Sequence, residues 1–447
     1  MAVAWCAPRL EASRACNIAG ALLAAACWDF EAARGAYGAG TAGSACEAPD
    51  ACGTESLPRE EAPLLPALTG TASTGAPTCG RRNAACCTQG PACASGLVCD
   101  PAAASCIACA AFRGLGFDVD QTDSHAVGIS ADGSLVVGYG RAQRSTNEAM
   151  YWSLEEERLG RFPRRTLRER TQLVFLESMA SAASFDGRVV VGFGELASVG
   201  VALQVSRVIN AFIAELPGEP RDMFEGEARG VSADGSVVVG AFDVDAVNAP
   251  SRGFVWSAAT SRRVLAPPSS LDSAQALGVS HDGSVAVGYG TGSGGVGRAL
   301  SWRTETGEVQ ELGELSGSVR TAARATNHDG SVIVGVGEAA GVRQGFVWRS
   351  SSGALESLAP IEAAGSMDAK GELLGGTGGG RAWLWDTARG GARALDEELG
   401  DLVPSGWVLQ EVTGISADGR VLVGYGISPG SVAEEAWVAF LGPRCEG

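Results

Sequence analysis

Six aspartates stand directly before a glycine at nearly regular intervals, and a repeated carboxylate of this kind could bind calcium. Calcium loops gather several oxygen ligands within a few residues, whereas each of these aspartates is a single carboxylate in its segment. An Asp-Gly pair is also a preferred turn sequence, so the pattern favours a turn-forming role over a metal site. The six residues are Asp132, Asp186, Asp234, Asp282, Asp329 and Asp418.

Other patterns with catalytic potential are few. The chain contains three histidines, which are His125, His281 and His328. They provide little material for a His-based metal site or a catalytic triad. The glycine-rich segments 291–297 and 375–380 lack the following helix and Lys-Ser/Thr pair of a phosphate-binding loop. Carboxylates cluster at 155–157 and 396–398 in polar connections, and a glycosidase pair built from distant residues stays an open alternative. We therefore expect no metal and no cofactor.

One local cluster of arginines could bind an anionic partner. It consists of Arg158, Arg161, Arg164, Arg165, Arg168 and Arg170. On a chain with a formal net charge of −17, this basic patch could hold an acidic polysaccharide or lipid headgroups. The favoured interpretation is a solvated loop whose arginines pair with the neighbouring residues Glu155–Glu157 and Glu169.

Composition limits the class of protein. The 447 residues are 45% hydrophobic, so the chain can bury a sizeable core. A pI near 4.7 excludes a general nucleic-acid binder, because phosphate neutralisation needs an excess of Lys and Arg. The longest apolar stretch, 18–27, is too short to cross a bilayer, so we expect membrane contact only through a lipid anchor.

The N-terminal segment has the features of a secretion signal. Residues 1–26 contain two arginines, then an Ala-Leu stretch and small residues before Cys27. This stretch resembles a bacterial lipobox, which implies lipidation of Cys27; an ordinary signal peptide is the alternative. Residues 27–77 lack an apolar period and are expected to form a flexible linker, in which Cys46 and Cys52 close a small loop.

Residues 78–109 form a cysteine-rich segment. Its cysteines are Cys79, Cys86, Cys87, Cys93, Cys99, Cys106 and Cys109. A zinc cluster usually needs a second CxxC or spaced histidines, which the segment lacks, and a secreted chain favours disulfides. The spacing of the first six resembles colipase-like and Dickkopf-like modules and implies a small disulfide knot. Two cysteines then flank the rest of the chain, Cys109 and Cys445, and we expect them to pair.

The segment 110–447 contains seven related repeats. Each has a turn glycine followed five residues later by a second glycine. The turn glycines are Gly133, Gly187, Gly235, Gly283, Gly330, Gly371 and Gly419, and Lys370 replaces aspartate before the sixth. A tryptophan closes five repeats, at Trp152, Trp256, Trp302, Trp348 and Trp385, while Ala214 and Ala439 take its place in the others. Because these tryptophans recur on one strand, packing is favoured over sugar stacking.

Each repeat predicts four strands, in the order strand, Asp-Gly turn, strand, glycine-rich turn, strand with Trp, turn, strand. Units of about 48 residues with buried second strands indicate an all-β, seven-bladed β-propeller rather than a β-solenoid. The last repeat lacks a fourth strand, and 111–117 resembles one. Antiparallel pairing of 111–117 with 436–441 would close the ring and bring Cys109 beside Cys445.

The combination GISADGSVVVGYG with AFVW resembles the HAF repeats of bacterial extracellular proteins over about 110–445. That resemblance implies a secreted propeller-like module and no defined activity. The function predicted is a monomeric, non-catalytic binding module at the bacterial cell surface, with a protein or polysaccharide partner. The alternatives are a propeller hydrolase or lyase acting on polysaccharide, and a structural envelope component.

Overall fold

The structure is a computed structural model that describes residues 97–100, 105–142, 146–163, 165–168, 171–199, 205–243 and 250–443. The regular secondary structure of the described residues is almost entirely β-strand, with one short helix, α1 (Leu395–Leu399). Two 3-10 turns, Ser293–Gly295 and Gly400–Leu402, accompany it. No helix in this part of the chain is long and apolar enough to cross a membrane.

The strands are numbered in chain order. Through the second repeat they are β1 (Leu97–Asp100), β2 (Ser105–Ala108), β3 (Ala111–Gly114), β4 (Gln121–Ile129), β5 (Leu135–Ala142), β6 (Asn147–Ser153), β7 (Arg158–Arg161), β8 (Arg165–Arg168), β9 (Thr171–Ala183), β10 (Val189–Val199), β11 (Val205–Glu215) and β12 (Arg221–Glu225). Those of the third to fifth repeats are β13 (Glu227–Val231), β14 (Val238–Phe242), β15 (Arg252–Ser257), β16 (Ser261–Leu265), β17 (Ser273–Val279), β18 (Val285–Thr291), β19 (Gly297–Arg303), β20 (Val309–Glu311), β21 (Arg320–Thr326), β22 (Val332–Ala339), β23 (Val342–Arg349) and β24 (Leu355–Ser357). The last two repeats contain β25 (Ala363–Met367), β26 (Leu373–Gly378), β27 (Arg381–Asp386), β28 (Gly391–Ala394), β29 (Val408–Ile415), β30 (Val421–Ile427) and β31 (Glu434–Phe440).

Each repeat forms a four-stranded antiparallel unit, and in all but the last the neighbouring strands follow one another in the chain. In the second repeat β8 adds a fifth strand that also pairs with β12, at Arg221 and Leu167. One parallel pair, Gly297 with Arg320, joins the units of the fourth and fifth repeats. The first strand of each repeat contacts the first strand of the next, and β29 contacts β4. The units therefore surround a central axis, as the sheets of a β-propeller do.

The predicted closing strand is confirmed. β3 pairs antiparallel with β31, with Ala111 opposite Phe440 and Gly114 opposite Trp437. The fourth strand of the last unit thus comes from the N-terminal side of the first repeat, so both ends of the repeat region meet in one sheet. Regular pairing ends at Gly114, three residues earlier than the predicted range 111–117.

The turn-forming role of the aspartates is confirmed in detail. All seven turn glycines have positive φ, between +68° at Gly187 and +79° at Gly330. In the third repeat Asp234 Oδ1 accepts the Ser236 N–H at 3.0 Å, and Ser232 Oγ donates to the same oxygen at 2.6 Å. Ser232 Oγ also accepts the Val237 N–H at 3.0 Å. The carboxylate and hydroxyl together satisfy the backbone of the tight turn.

The sixth repeat keeps this turn although Lys370 replaces its aspartate. Asp368 occupies the position of the serine, and its Oδ1 accepts the N–H groups of Glu372 at 2.8 Å and Leu373 at 3.1 Å. The missing carboxylate is therefore supplied from two residues earlier, and Gly371 keeps a φ of +72°.

The turns are linked to one another by a continuous circle of backbone hydrogen bonds. The circle runs from Asp132 N to Phe185 O (2.9 Å), Phe185 N to Ala233 O (2.7 Å), Ala233 N to His281 O (2.9 Å), Asp282 N to His328 O (3.1 Å), His328 N to Ala369 O (2.9 Å), Ala369 N to Ala417 O (3.1 Å) and Ala417 N to Ala131 O (2.8 Å). Every repeat both donates to the next repeat and accepts from the previous one. The inner hairpins are therefore linked in a ring by hydrogen bonds that use only main-chain atoms.

The second glycine of each repeat lies within a strand, which differs from the predicted glycine-rich turn. A Cβ on Gly240 would lie 1.9 Å from the Glu227 carbonyl oxygen, and one on Gly288 would lie 1.9 Å from the Gln275 carbonyl oxygen. The glycine is therefore required by close approach of the neighbouring strand rather than by a turn.

The tryptophans pack between units, as predicted. Trp152, Trp302 and Trp348 have 5% or less of their surface exposed. Trp302 Nε1 donates to the Ala266 carbonyl oxygen at 2.9 Å, which ties the fourth repeat to the connection that precedes it. Their role in the core satisfies the sequence pattern without a ligand.

Candidate functional site

The first strand of every repeat contains a one-residue bulge at the same position. At the bulge one residue has no partner on the adjacent strand, and bulges of this kind redirect a side chain. The seven bulge residues are Val127, Ser181, Arg229, Leu277, Arg324, Gly365 and Thr413. Each lies six residues before the turn glycine of its repeat. All seven are partly exposed and each directly follows a buried residue, so they form the inner surface of the ring.

A central cavity of about 180 Å³ lies inside this ring. All seven repeats contribute to its lining, and five of the seven bulge residues are among them. The lining consists mainly of Gly, Ala and aliphatic residues, with Arg229, Arg324 and His281 as its titratable members. It contains no Asp, Glu or Lys. The cavity is therefore lined by cations without carboxylates, in a protein whose net charge is −17.

The two arginines differ in their local partners. The Nε of Arg229 donates to Glu227 Oε2 at 3.0 Å, and the guanidinium lies 4.5 Å from the centre of the Phe193 ring. Arg324 forms neither an ion pair nor a hydrogen bond with any residue of the described segments. Its side chain passes 3.9 Å from where a Cβ of Gly365 would stand. The lack of a side chain in the next repeat thus leaves room for Arg324.

Burial lowers the pKa of the Arg324 guanidinium, and the nearby Glu411 carboxylate opposes that effect. Glu411 is already engaged, since its Oε2 accepts the Tyr425 hydroxyl at 3.0 Å. Arginine remains charged at any physiological pH even after such a shift. Arg324 is therefore a partly buried cation near the Glu411 carboxylate but without a hydrogen bond to it.

A second polar cluster surrounds His125, where the first and last repeats meet. The imidazole stacks on Tyr139 with ring centres 4.8 Å apart, and it lies 4.7 Å from Tyr425. Its Nε2 lies 3.0 Å from Glu434 Oε2 and 3.9 Å from Asp123 Oδ1. The cluster therefore combines a buried imidazole, two phenols and two carboxylates.

The protonation states of this cluster follow from burial. Burial lowers the pKa of His125, and the carboxylates of Glu434 and Asp123 only partly offset it. Burial also raises the pKa of Tyr139 and, together with Glu411, that of Tyr425. At neutral pH the imidazole and both phenols are neutral, a combination that can accept and donate protons.

The predicted arginine patch is only partly a loop. Arg158 and Arg161 belong to β7, and Arg165 and Arg168 belong to β8, so the predicted loop is wrong for these residues. The side chains of Arg165 and Arg168 are not described, and Arg164 and Arg170 lie outside the described residues.

The two described side chains of the patch already have acidic partners. Arg158 lies 3.2 Å from Glu156, and Arg161 lies 2.8 Å from Asp118 and 3.4 Å from Glu148. For these two, the interpretation as solvated, paired charges is supported.

The remaining predicted sites fall largely outside the described residues. The signal peptide, the linker and the cysteines Cys27, Cys46, Cys52, Cys79, Cys86, Cys87, Cys93 and Cys445 lie there. Cys99, Cys106 and Cys109 are disulfide-bonded. In the hairpin of β1 and β2, Cys99 lies opposite Cys106. The carboxylates of 396–398 lie on α1, not in an irregular connection.

Sequence reasoning did not find the central cavity or the His125 cluster. A bulge is a property of the backbone register, so the residues facing the axis are not evident from alternation. Aligning the repeats on their turn glycines would have placed Arg229 and Arg324 in one column. In the described residues, no group of three or more His, Cys, Asp or Glu side chains is arranged to hold a metal ion.

Comparisons with known proteins add little. A scan against protein-family models found no match, and a search of curated proteins found none. Among solved structures the chain is similar to TolB from Acinetobacter baumannii, at 15% identity and a TM-score of 0.39, over 58% of this chain and 65% of that one. It is also similar to an oligogalacturonate lyase in complex with manganese, at 12% identity and a TM-score of 0.45, over 75% of this chain and 97% of that one. The β-propeller domain of the Trilobed protease from Pyrococcus furiosus is similar at 10% identity and a TM-score of 0.45, over 72% of this chain and 94% of that one. No activity follows from similarities at this level.

Proposed function

We propose that this protein is a secreted, lipid-anchored bacterial surface protein whose repeat region is a non-catalytic binding module. Its partner is a polysaccharide or a protein of the cell envelope. A lipidated Cys27, a linker and a disulfide-rich segment would present the repeat region away from the membrane. The sequence features of 1–109 support this arrangement.

The repeat region is, in this proposal, a seven-bladed β-propeller with β3 as the outer strand of the last blade. The circle of main-chain hydrogen bonds through the turns supports this blade count, because it returns from Ala417 to Ala131 after passing through each repeat once. Contacts between successive inner strands support it independently.

The observation that supports a binding role is that the bulge has the same backbone in every repeat but different side chains. The seven repeats share one backbone there, yet the bulge residues range from Gly365 to Arg324. Small or aliphatic residues form the same bulge in five repeats, so the bulge itself does not require the two arginines. A rigid ring with a differentiated inner surface suits selective binding.

The test is a thermal-shift screen of the full mature chain under oxidising conditions. Acidic and neutral polysaccharides, peptidoglycan fragments and envelope extracts are the ligands. A ligand that binds only the folded state raises the melting temperature, equivalent to about 2.7 kcal/mol at a hundredfold excess over Kd. A binding module requires a shift with at least one class. No shift with any of them, and no protein recovered from envelope extracts, would contradict the proposal.

A polysaccharide hydrolase or lyase is the second candidate, and the His125 cluster is the observation that favours it. A neutral imidazole 3.0 Å from Glu434 and stacked on Tyr139 has the groups needed for general acid-base chemistry. The test is release of reducing ends or unsaturated products from any polysaccharide that binds. An enzyme loses this turnover in His125→Gln while retaining binding, whereas a binding module yields no product in either form.

A further inference from the structure

The cavities of the described residues differ in whether their charges are already compensated. The cavity between the sixth and seventh repeats, about 430 Å³, contains both signs of charge. There Arg389 and Arg393 lie 3.0 and 3.2 Å from the two oxygens of Glu398. Arg389 also lies 3.3 Å from Asp386, so two carboxylates compensate the two arginines. The central cavity differs, because its lining contains no carboxylate and, although Arg229 pairs with Glu227 outside the lining, Arg324 has no ion pair among the described residues.

We propose that the central cavity binds one anionic group, a carboxylate or a phosphate, through Arg324 with Arg229 as a second cation. This inference deepens the proposed function, on which it rests, by naming the chemistry of the ligand. The planar guanidinium presents paired N–H donors that match the oxygens of a carboxylate or phosphate.

The environment of Arg324 requires a counter-charge. A partly buried guanidinium is costly unless an anion or several hydrogen bonds compensate it. Within the described segments no side chain forms an ion pair or a hydrogen bond with Arg324, and the nearby Glu411 carboxylate compensates its charge only by attraction at longer range. A low-dielectric wall of Gly, Ala and aliphatic residues strengthens the attraction for an anion that enters.

The repeats provide an internal comparison that separates folding from binding. At the bulge position the second and seventh repeats have Ser181 and Thr413, and the sixth has Gly365. All of these have the same bulge, so arginine is not needed to build it. Arg324 therefore places a long, charged side chain at a position where a small residue is enough to form the bulge.

The size of the cavity limits what can enter. About 180 Å³ accommodates a small anion or the charged end of a larger ligand with a few waters. We therefore expect the anionic group to be a monosaccharide acid, a phosphate or a terminal residue of a longer ligand.

The experiment is calorimetric titration of the full mature chain at constant ionic strength. Glucuronate and inorganic phosphate are the anionic probes, and glucose is the neutral control for glucuronate. The variants are Arg324→Thr, which copies the seventh repeat, and Arg229→Ser, which copies the second. Arg303→Gln is the matched control, because it removes the same charge from an exposed position outside the cavity.

The expected result is binding of at least one anionic probe, no binding of glucose, a Kd raised at least tenfold by Arg324→Thr and a Kd changed less than twofold by Arg303→Gln. Binding of glucuronate alone identifies a sugar-acid ligand, and binding of phosphate alone identifies a phosphate ligand. Absence of binding by the wild type, equal binding of glucose, or unchanged affinity in Arg324→Thr would overturn the inference. If Arg324→Thr does not fold, Arg229→Ser decides by the same criterion.

Failure of this inference can be told apart from failure of the proposed function. An envelope partner that binds Arg324→Thr as well as wild type leaves the binding module standing and removes the anion site. Anion binding that depends on Arg324, without any envelope partner, supports the anion site and contradicts the proposed envelope-binding module.

Discussion

The backbone N–H of Ala417 donates to the carbonyl oxygen of Ala131 at 2.8 Å, joining the last repeat to the first. This bond completes the circle that links the inner turns. Because the circle uses main-chain atoms, it tolerates different residues at each position, including Phe185, His281 and His328. The ring can therefore be maintained by the backbone while side chains around the axis vary.

The second glycine of each repeat predicts a severe effect of adding one methyl group. In Gly240→Ala the new Cβ would lie 1.9 Å from the Glu227 carbonyl oxygen, so the inner strand must move. We expect the free energy of unfolding to fall by at least about 3 kcal/mol, measured by urea denaturation. Gly391→Ala is the control, since a Cβ there meets nothing within 4 Å. Its stability should change by less than about 1 kcal/mol. Equal effects of the two substitutions would contradict this explanation of the glycine.

The turn serine predicts a smaller but definite loss. Ser232 is fully buried, and its Oγ both donates to Asp234 and accepts the Val237 N–H. Ser232→Ala leaves that N–H without its acceptor, which costs about 1–3 kcal/mol of unfolding free energy. Ser236→Ala in the same turn removes an exposed hydroxyl and should stay within about 0.5 kcal/mol of wild type. Equal losses of stability in Ser232→Ala and Ser236→Ala, measured by thermal melts, would contradict the view that burial of the Ser232 hydroxyl determines its contribution.

Local patterns in the sequence were sufficient to predict the hairpins and the closing strand. The glycine of each Asp-Gly pair adopts a positive φ, as a tight turn requires. The segment that begins at Ala111 pairs with β31, the last strand of a repeat that otherwise lacks a fourth strand. The sixth repeat shows the limit of the pattern. Lys370 stands where the other repeats have aspartate, and Asp368, two residues earlier, accepts the backbone N–H groups of the turn instead.

The candidate site could not be predicted in the same way, because it depends on register and on ring closure. His125 and Glu434 are brought within 3.0 Å only because the first and last repeats become neighbours. Arg229 and Arg324 face the axis only because each inner strand bulges at that residue. Neither relation produces a local motif.

The buried histidines predict a loss of stability at mildly acidic pH. Burial lowers the pKa of His125 and of His281 below 6.5, so the unfolded chain binds more protons once the pH falls below that value. The free energy of unfolding should therefore be highest above pH 6.5 and decrease progressively between pH 6.5 and 5. Urea titrations at pH 7.5, 6 and 5 measure this directly.

The same titrations on His125→Gln test the assignment to one residue. The variant should lose less stability on acidification than wild type, while keeping the part that His281 contributes. A His125→Gln profile parallel to that of wild type would contradict the assignment.

The disulfide between Cys109 and Cys445 remains a prediction, and the structure gives it a specific setting. Cys109 is disulfide-bonded, and the next residue, Ala110, donates its N–H to the Pro443 carbonyl oxygen at 2.9 Å, two residues before Cys445 in the chain. We expect non-reducing peptide mapping to find Cys109 and Cys445 in one linked peptide. A bond that closes a loop of this length is worth about 4–5 kcal/mol in the chain-entropy model. Cys109→Ala should therefore lower the melting temperature of the ring clearly more than Cys106→Ala, which removes a disulfide-bonded cysteine outside the repeats. A free thiol at Cys445 in the oxidised protein would show that the ends of the ring are held by the β3 and β31 pairing alone.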